Sequence, residues 1–460
     1  MISDLVYYII SGVLVLFVFL GILLLSKPKT AKLGNGIAAG AVILAVILTI
    51  LKHEIYDQWI LYIIIGIGVI IGAILAYKIK MIKMPNMIAI LNGLGGLASL
   101  IVGIFAMYQI GSDNSYFSVI SAMLAIAIGS VTFIGSIIAF LKLGNHITSK
   151  PIKIKGYTII IIISTILLFG FIIATYFIPL SPIYLVIIGL ALSSFIAVIF
   201  TIAIGGADMP IAISLLNSFS GIAAAISGLA IGEVVLVAFG SVVGASGLIL
   251  TRIMSVAMNK TLLQIITGQT TQTIAGDTAR YTDENVDLEE TEADNPIEVF
   301  NEAKDIIVVP GYGMAIAQAQ SLVRELYDIS LKTNKQIRFA IHPIAGRMPG
   351  HMNVLLAEVD IDYDHLYDLD DINNDFSKSD LVIVIGANDV INPASKTHEG
   401  TPIYGMPILN VDDARHIFIF NYDLKPGYAG VENLLYKRKN GVTLFLGDAK
   451  VMLKEFIESL

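Results

Sequence analysis

The sequence predicts an α-helical membrane bundle of about nine transmembrane helices followed by an α/β domain built on a parallel sheet. Three observations carry this. The 460-residue chain is 56% hydrophobic and only 14% charged, too apolar to be water-soluble throughout. From Leu5 to about Met258, acidic and basic residues fall almost only in short gaps between apolar runs long enough to cross a bilayer. Beyond Asn295, apolar runs alternate with helical stretches, the pattern of a parallel sheet covered on both faces.

The apolar segments lie near 5–25, 34–51, 59–77, 86–110, 117–141, 157–178, 182–204, 210–231 and 234–257. Asp4 precedes the first, which has no basic lead and no cleavage site, so it reads as a retained span and not a signal peptide. An odd number of spans puts the two ends on opposite sides. Lys27, Lys29 and Lys32, then Lys78, Lys80 and Lys83, then Lys142, Lys150, Lys153 and Lys155 mark alternate loops, which the positive-inside rule makes cytoplasmic. The opposite loops hold Lys52 alone, with Glu54, Asp57, Asp113 and Glu233, and Trp59 at such an interface. The N-terminus is therefore expected outside and the C-terminal half in the cytoplasm.

Within the first half, 1–258, the stretch around Ile159 to Ile163 is bulky and expected to face lipid. Small residues mark an inner bundle: Gly93, Gly95 and Gly96; Gly221, Ala225 and Gly228; Gly240, Gly244 and Gly247. Polar residues there are few. Asp208, before Pro210, reads either as a helix N-cap or as a group on a wet path. Asn92 and Asn217 read either as interhelical hydrogen bonds or as members of the same path. Cysteine is absent, which excludes disulfides, thiolate metal sites and thiol redox chemistry, so any redox role needs a bound cofactor.

An acidic run from Asp277 to Asp294 makes 259–296 a solvated linker. In the second half, 297–460, strands are expected at 305–310, 337–342, 381–385, near Ile408, at 417–420 and at 442–446, with helices to about Lys332, around 353–358 and at the end. Asp305 to Pro310 runs into a glycine turn, Gly311-Tyr312-Gly313, and a helix beginning at Met314. Gly311 and Gly313 let the backbone turn sharply and approach a ligand, and the helix start offers free N–H groups to a pyrophosphate. As a bare GxG this equally fits an ordinary strand-turn-helix corner. Turns rich in Gly, Asn, Asp and Pro follow other strands, at 342–353, 386–393 and 421–430, where ligands bind in open α/β sheets.

PGYGMAIAQAQ, HPIAGRMPGHMNVLLAE, DLVIVIGAND, PGYAGVEN and GDAK, behind nine spans and an acidic linker, make the whole chain resemble the beta subunit of the proton-translocating NAD(P) transhydrogenases. The resemblance implies an oxidoreductase with a proton-translocating membrane domain and a Rossmann-like domain that binds NADP(H), the dinucleotide lying reversed relative to an ordinary Rossmann domain. It implies alpha subunits that carry the NAD(H)-binding domain and further transmembrane helices, a dimer of the complete complex, and the cell (inner) membrane as location. Neither a metal nor a nucleic acid is expected. Carried over by position, Gly311, Tyr312 and Gly313 would line the pyrophosphate and nicotinamide region, with Ala345, Gly346, Arg347, Met348 and Pro349 in the next turn, Arg347 meeting phosphate. Gly386, Ala387, Asn388 and Asp389 would sit near the nicotinamide, Asp389 also in the catalytic set. Asn421, Tyr422, Lys425, Gly427, Tyr428 and Ala429 would form a lid, and Asp448, Ala449 and Lys450 the adenosine side. Asp208, Asn92 and Asn217 would form the proton path. Because asparagine does not titrate near neutral pH, the titrating group is expected from the partner's helices.

The chain departs from the family in two places. Asn92 stands where histidine is frequent, and Asn421, Tyr422 and Asp423 stand where many members have Lys-Arg-Ser at the 2′-phosphate. Asp423 has the wrong sign for a phosphate and could instead accept from a free ribose 2′-OH, so NAD(H) stays open as the ligand; Lys425 and Lys450 are the cations at hand. From the residues alone, a membrane transporter with a cytoplasmic nucleotide-sensing domain is the competing reading. It lacks support in any inverted repeat or TVGYG-type filter. A scaffold that has lost its chemistry is a third.

Overall fold

The computed structural model describes the chain apart from residues 1, 26–27, 80–82, 110–114, 145, 149–150, 153, 179, 206–207, 258–260, 263, 265–294, 347–349, 428 and 439. Nearly all of the acidic linker thus lies outside the described residues, as do Arg347, Met348, Pro349 and Tyr428. Two compact units divide the chain near Arg252.

The first unit contains α1 (Asp4–Leu25), α2 (Pro28–Lys52), α3 (Trp59–Lys78), α4 (Met84–Gln109), α5 (Tyr116–Leu143), α6 (Tyr157–Ala174), α7 (Pro182–Ala203), α8 (Met209–Ile231) and α9 (Val234–Ala257). Among the described residues these nine are long and apolar enough to span a bilayer, as expected of a multi-pass membrane protein. Helices α4, α5 and α8 pack together with α7 alongside, α1 pairs with α2, and α3 has no buried residue. Small residues make the packing close. A Cβ on Gly96 would stand 2.8 Å from the carbonyl oxygen of Gly129, and one on Gly129 the same from that of Gly96. Across α8 and α9, a Cβ on Gly221, Gly240 or Gly247 would lie 2.8 Å from the Cα of Gly244, Ala225 or Ser218. Where dispersion, not water exclusion, holds helices together, such backbone proximity is what stabilises them. On α6, Ile159 and Ile163 are exposed while Ile161 is buried.

Loop contacts show which helix ends share a face. Lys52 pairs with Asp4, and His53 Nε2 lies 3.2 Å from Glu233 Oε2, which joins the α2–α3 and α8–α9 connections to the N-terminus. At another end, Ile152 N donates to Ile202 O at 3.2 Å, which joins the α5–α6 connection to the end of α7. This is the grouping of loops that the lysine pattern predicts.

The second unit contains α10 (Pro296–Glu302), β1 (Asp305–Pro310), α11 (Tyr312–Ala317), α12 (Gln320–Lys332), β2 (Gln336–Ile341), α13 (His351–Glu358), β3 (Leu366–Asp368), α14 (Leu369–Ile372), β4 (Leu381–Ile385), α15 (Ala394–Thr397), β5 (His416–Asn421), β6 (Val442–Leu446) and α16 (Ala449–Glu458). Its strands form one sheet in the order β3-β2-β1-β4-β5-β6, each neighbouring pair parallel. Residues of β1, β2, β4 and β5 are almost all buried, as continuous β-branched runs covered on both faces must be. Phe300 of α10 and Phe456 of α16 meet edge to face at 5.7 Å, and Phe456 packs on Phe418, Phe420 and Phe445, so the first and last helices share one aromatic layer.

The sheet differs from expectation in three places. The helix expected from Met314 to Lys332 is two helices, broken where Gln318 takes a left-handed φ of 52°. Residues near Ile408 form no strand. There Ile408 O accepts from Asn373 Nδ2 and Asn410 N donates to Asn373 Oδ1, so a side chain supplies what a ladder would. Strand β3, three residues long and only partly buried, has no apolar run to announce it.

His342, just past β2, is 2% exposed. Its Nε2 bonds Pro407 O at 2.8 Å and its Nδ1 accepts from Ile344 N at 3.3 Å, which fixes a neutral ring. Burial pushes its pKa down to about 4, against a lesser opposing effect of the Pro407 bond. With the folded pKa below the unfolded value, the stability is whole above about pH 6.5 and is lost as pH falls toward 4. Between pH 7 and pH 5 the unit should lose about 2 kcal/mol more than its His342→Gln variant, read from denaturant unfolding at both pH values. In the bundle, Gly221→Leu should abolish the α8–α9 contact and markedly reduce the yield of folded chain, read by size-exclusion of the detergent-extracted protein.

Candidate functional site

The order 3-2-1-4-5-6 places a topological switch point between β1 and β4, and the turns after these two strands interlock there. Gly311 N donates to Ile385 O and Gly313 N to Gly386 O, both at 2.8 Å. A Cβ on Gly311 would collide with the backbone of Gly386 and Ala387, and one on Gly313 would stand 2.6 Å from the Gly386 Cα. Gly386 itself has φ 68°. These three glycines are thus required by turn-on-turn packing, a detail beyond the sharp turn and ligand approach that the sequence suggested for Gly311 and Gly313. Tyr312 opens α11, with its ring 6.5 Å from that of His351. Ala345 is buried, and a Cβ on Gly346 (φ 107°) would run into the His351 ring. Two predicted clusters, after β1 and β2, are therefore adjacent.

The fourth cluster, after β5, closes over the third, after β4. Ala429 N donates to Asp389 Oδ2 at 3.0 Å, and a Cβ on Gly427 would come within 2.6 Å of the same carboxylate. Asn388 Nδ2 donates to Lys425 O at 3.0 Å, Asn433 Nδ2 to Asn388 O at 3.2 Å, and Asn392 Nδ2 to Glu432 O at 3.0 Å. The segment after β5 is thus clasped to the turn after β4, with the Asp389 carboxylate under its glycine. A side chain at 427 would displace that carboxylate.

At the end of β5 the structure separates residues that the sequence grouped. Asn421 is buried, its Nδ2 donating to Ala387 O at 3.0 Å and to the Tyr436 hydroxyl at 2.7 Å. Burial pushes Tyr436 up to about 12, so that hydroxyl stays neutral. Asn421, expected in the lid, is thus tied by its amide to the turn after β4 and to Tyr436. Tyr422 is 78% exposed. Asp423 Oδ1 accepts Lys425 N at 3.1 Å, and Lys425 Nζ lies 3.7 Å from Asp423 Oδ2. Asp448 caps α16, accepting from Lys450 N at 2.9 Å and Val451 N at 3.3 Å, with Ala449 buried behind it and Lys450 exposed. Gly447 N donates to Asn421 O at 2.9 Å, so these residues adjoin the lid.

In the bundle, α8 carries the polar residues. Asn92 Nδ2, on α4, donates to Ile213 O at 3.2 Å, so the interhelical bond is formed. Ile213 O is also the i−4 acceptor for the amide of Asn217, which is half-buried. Asp208 is 2% exposed, and its side chain makes no capping bond to α8, against the capping reading. One residue escaped the sequence reading. Lys142, expected in a cytoplasmic loop, is inside α5 and 1% exposed, donating to Ile202 O at 2.6 Å and Ile204 O at 2.7 Å. Position next to a loop masked it, since only tertiary packing distinguishes a buried lysine from a solvated one.

The family model described as NAD(P) transhydrogenase beta subunit matches residues 5–459. Two Rhodospirillum rubrum sequences, each named NAD(P) transhydrogenase subunit beta, are 38% identical to the chain over 460 residues, with 98% of either chain covered. A match through both units and all the glycine turns shows that the chain belongs to the NAD(P) transhydrogenase beta subunit family, and so to an oxidoreductase family acting on nicotinamide nucleotides with an alpha-subunit partner.

Proposed function

We propose that the chain binds NADP(H) in its parallel-sheet unit and exchanges hydride with NAD(H) held by an alpha subunit, while a proton crosses the bundle of an inner membrane. The observation that carries this reading is the interlock of the turns after β1 and β4 beneath the clasped segment 425–433, at a switch point where open α/β sheets bind ligands. Bound there, the dinucleotide supplies the hydride chemistry; the chain supplies orientation and exclusion of water. Gly427 and Ala429 hold Asp389 in place, and release of that clasp frees the crevice. The lysine-rich loops put this unit in the cytoplasm and the N-terminus outside. Asp208, Asn92 and Asn217 form the proton path in this reading, the amides ordering water, with the titrating group supplied by the alpha subunit's helices.

Hydride donor and acceptor must approach to about 3–3.5 Å, and this chain offers one dinucleotide crevice. The purified chain alone should therefore show no NADPH-to-NAD hydride transfer, and addition of its alpha subunit should restore it, followed by absorbance of a reduced NAD analogue. Robust transfer by the single chain would overturn the two-site assignment.

The end of β5 is a poor fit to a 2′-phosphate. Asn421 has spent its amide, and Asp423, Lys425, Asp448 and Lys450 contribute two negative and two positive charges. The Asp423–Lys425 pair is exposed, so it is weak and Lys425 is able to turn to a phosphate. On this basis Lys425→Ala should weaken NADP binding about tenfold, some 1.4 kcal/mol, with little change for NAD, while Asp423→Ser should strengthen NADP. Titration of the unit from Asn295 to Leu460 with each dinucleotide measures this; NAD bound as tightly as NADP would defeat the NADP(H) assignment.

A further inference from the structure

Lys142 occupies a position that solvation alone would not choose. Burying an ammonium costs several kcal/mol unless its donors are satisfied. Here the donors are turned onto the last carbonyls of a neighbouring helix, Ile202 O at 2.6 Å and Ile204 O at 2.7 Å. A cation at a helix C-terminus is favoured by the helix dipole as well as by the orphan carbonyls. Ile202 O also accepts Ile152 N at 3.2 Å, and a Cβ on Gly205 would stand 3.3 Å from Pro151 Cδ. The end of α7 is thus gripped by α5 and by the connection that follows α5.

What this grip holds is the turn carrying Asp208. Ile204, bonded to Lys142, is followed by Gly205, whose carbonyl accepts Asp208 N at 3.1 Å. Asp208 O then accepts Ile211 N at 3.1 Å and Ala212 N at 3.2 Å, which starts α8. Five residues past Asp208, Ile213 O receives Asn92, and Asn217 follows. Helix α5 locks to both partners, for a Cβ on Gly135 would meet Thr201 Oγ1 and a Leu216 methyl, each at 3.0 Å. The packed ends of α5 and α7 and the start of α8 therefore contain two nearly fully buried ionisable residues of opposite sign, Lys142 and Asp208.

We propose that Lys142 is a positioning residue for the proton-transfer step, its ammonium clamping the end of α7 so that the following turn holds the Asp208 carboxylate at the entrance to α8. The proposal rests on the reading of Asp208 as part of the proton path. A lysine that merely stabilises the bundle acts regardless of what stands at 208; a lysine that acts through Asp208 loses its effect once that carboxylate is gone.

The test is a double-mutant cycle in membranes carrying the complete complex with its alpha subunit. Proton-coupled hydride transfer is measured for wild type, Lys142→Met, Asp208→Asn and the double variant, each normalised to the amount of dinucleotide bound. Lys142→Met should cost at least thirtyfold in the wild-type background and less than threefold in the Asp208→Asn background, and Lys142→Arg should recover most of the rate. Equal losses in both backgrounds, with Asp208→Asn itself impaired, would overturn the role of Lys142 and leave the proton path standing. Full activity of Asp208→Asn would instead remove the reading on which the proposal rests. Should Lys142→Met fail to assemble, Lys142→Gln, which keeps donors but not charge, takes its place in the same cycle with the same two outcomes.

Discussion

A polar group at membrane depth has to find its partner inside the protein, and this constraint organises the bundle. No Asp, Glu, Lys, Arg or His occurs within α4, α6, α7 or α8, and α5 has only Lys142. Several hydroxyls are turned onto carbonyls, across helices for Ser218 Oγ to Gly244 O at 2.7 Å and Ser227 Oγ to Ser99 O at 3.3 Å, and within one helix for Thr251 Oγ1 to Gly247 O at 2.7 Å, whereas Ser136 Oγ and Thr201 Oγ1 are buried with no such bond. Reaching a carbonyl of another helix requires the helices to be close, and the glycines of α8 and α9 allow it. Small residues and polar residues are therefore parts of one device, and α8 is its centre because it is in contact with α4, α5 and α9 at once.

The sheet unit solves a different problem with the same means. Two turns must cross at the switch point without leaving their amides unpaired, and Gly311, Gly313 and Gly386 permit backbone-to-backbone bonds where side chains would collide. Above this crossing, the segment from Lys425 to Asn433 is held by side-chain amides and one carboxylate and not by a ladder. Ladder bonds form cooperatively within a sheet; bonds of this kind are few and individually worth about 1 kcal/mol, so a ligand can exchange for them.

Much of this was legible in the sequence because it depends on periodicity. Nine apolar runs and the alternating pattern beyond Asn295 correspond to local burial, and the glycine turns correspond to positions where no other residue fits. What escaped is decided by tertiary partners. Strand β3 is only Leu366, Tyr367 and Asp368, too short to read as an apolar run, and it pairs along the edge that β2 offers. The apolar stretch at Ile408 resembles a strand, yet Asn373 takes its hydrogen bonds. Asn421 and its neighbour Tyr422 look equivalent in sequence, but one is buried against Tyr436 and the other faces outward. Of the binding residues expected after β2, Arg347, Met348 and Pro349 lie outside the described residues, so that turn is described only by its neighbours, among them Gly346 and His351.

The distribution of charge in the bundle bears on how it could carry a proton. Ionisable side chains gather at two ends. At one, Glu233 accepts from the Tyr7 hydroxyl at 2.6 Å and lies beside His53; at another, Asp208 and Lys142 are buried in one corner. Between them α8 offers Ser214, Asn217, Ser218 and Ser227, groups that order water and pass hydrogen bonds but cannot store a charge near neutral pH. Asn92 has one amide hydrogen committed to Ile213 O and cannot act as a titrating group. Under the proposed function, then, this chain can load and unload a proton at its ends but does not supply a resting place in its middle. That place has to come from the helices of the alpha subunit or from water held by these amides, and α3, with no buried residue of its own, shows that the bundle of this chain alone does not cover every helix it contains.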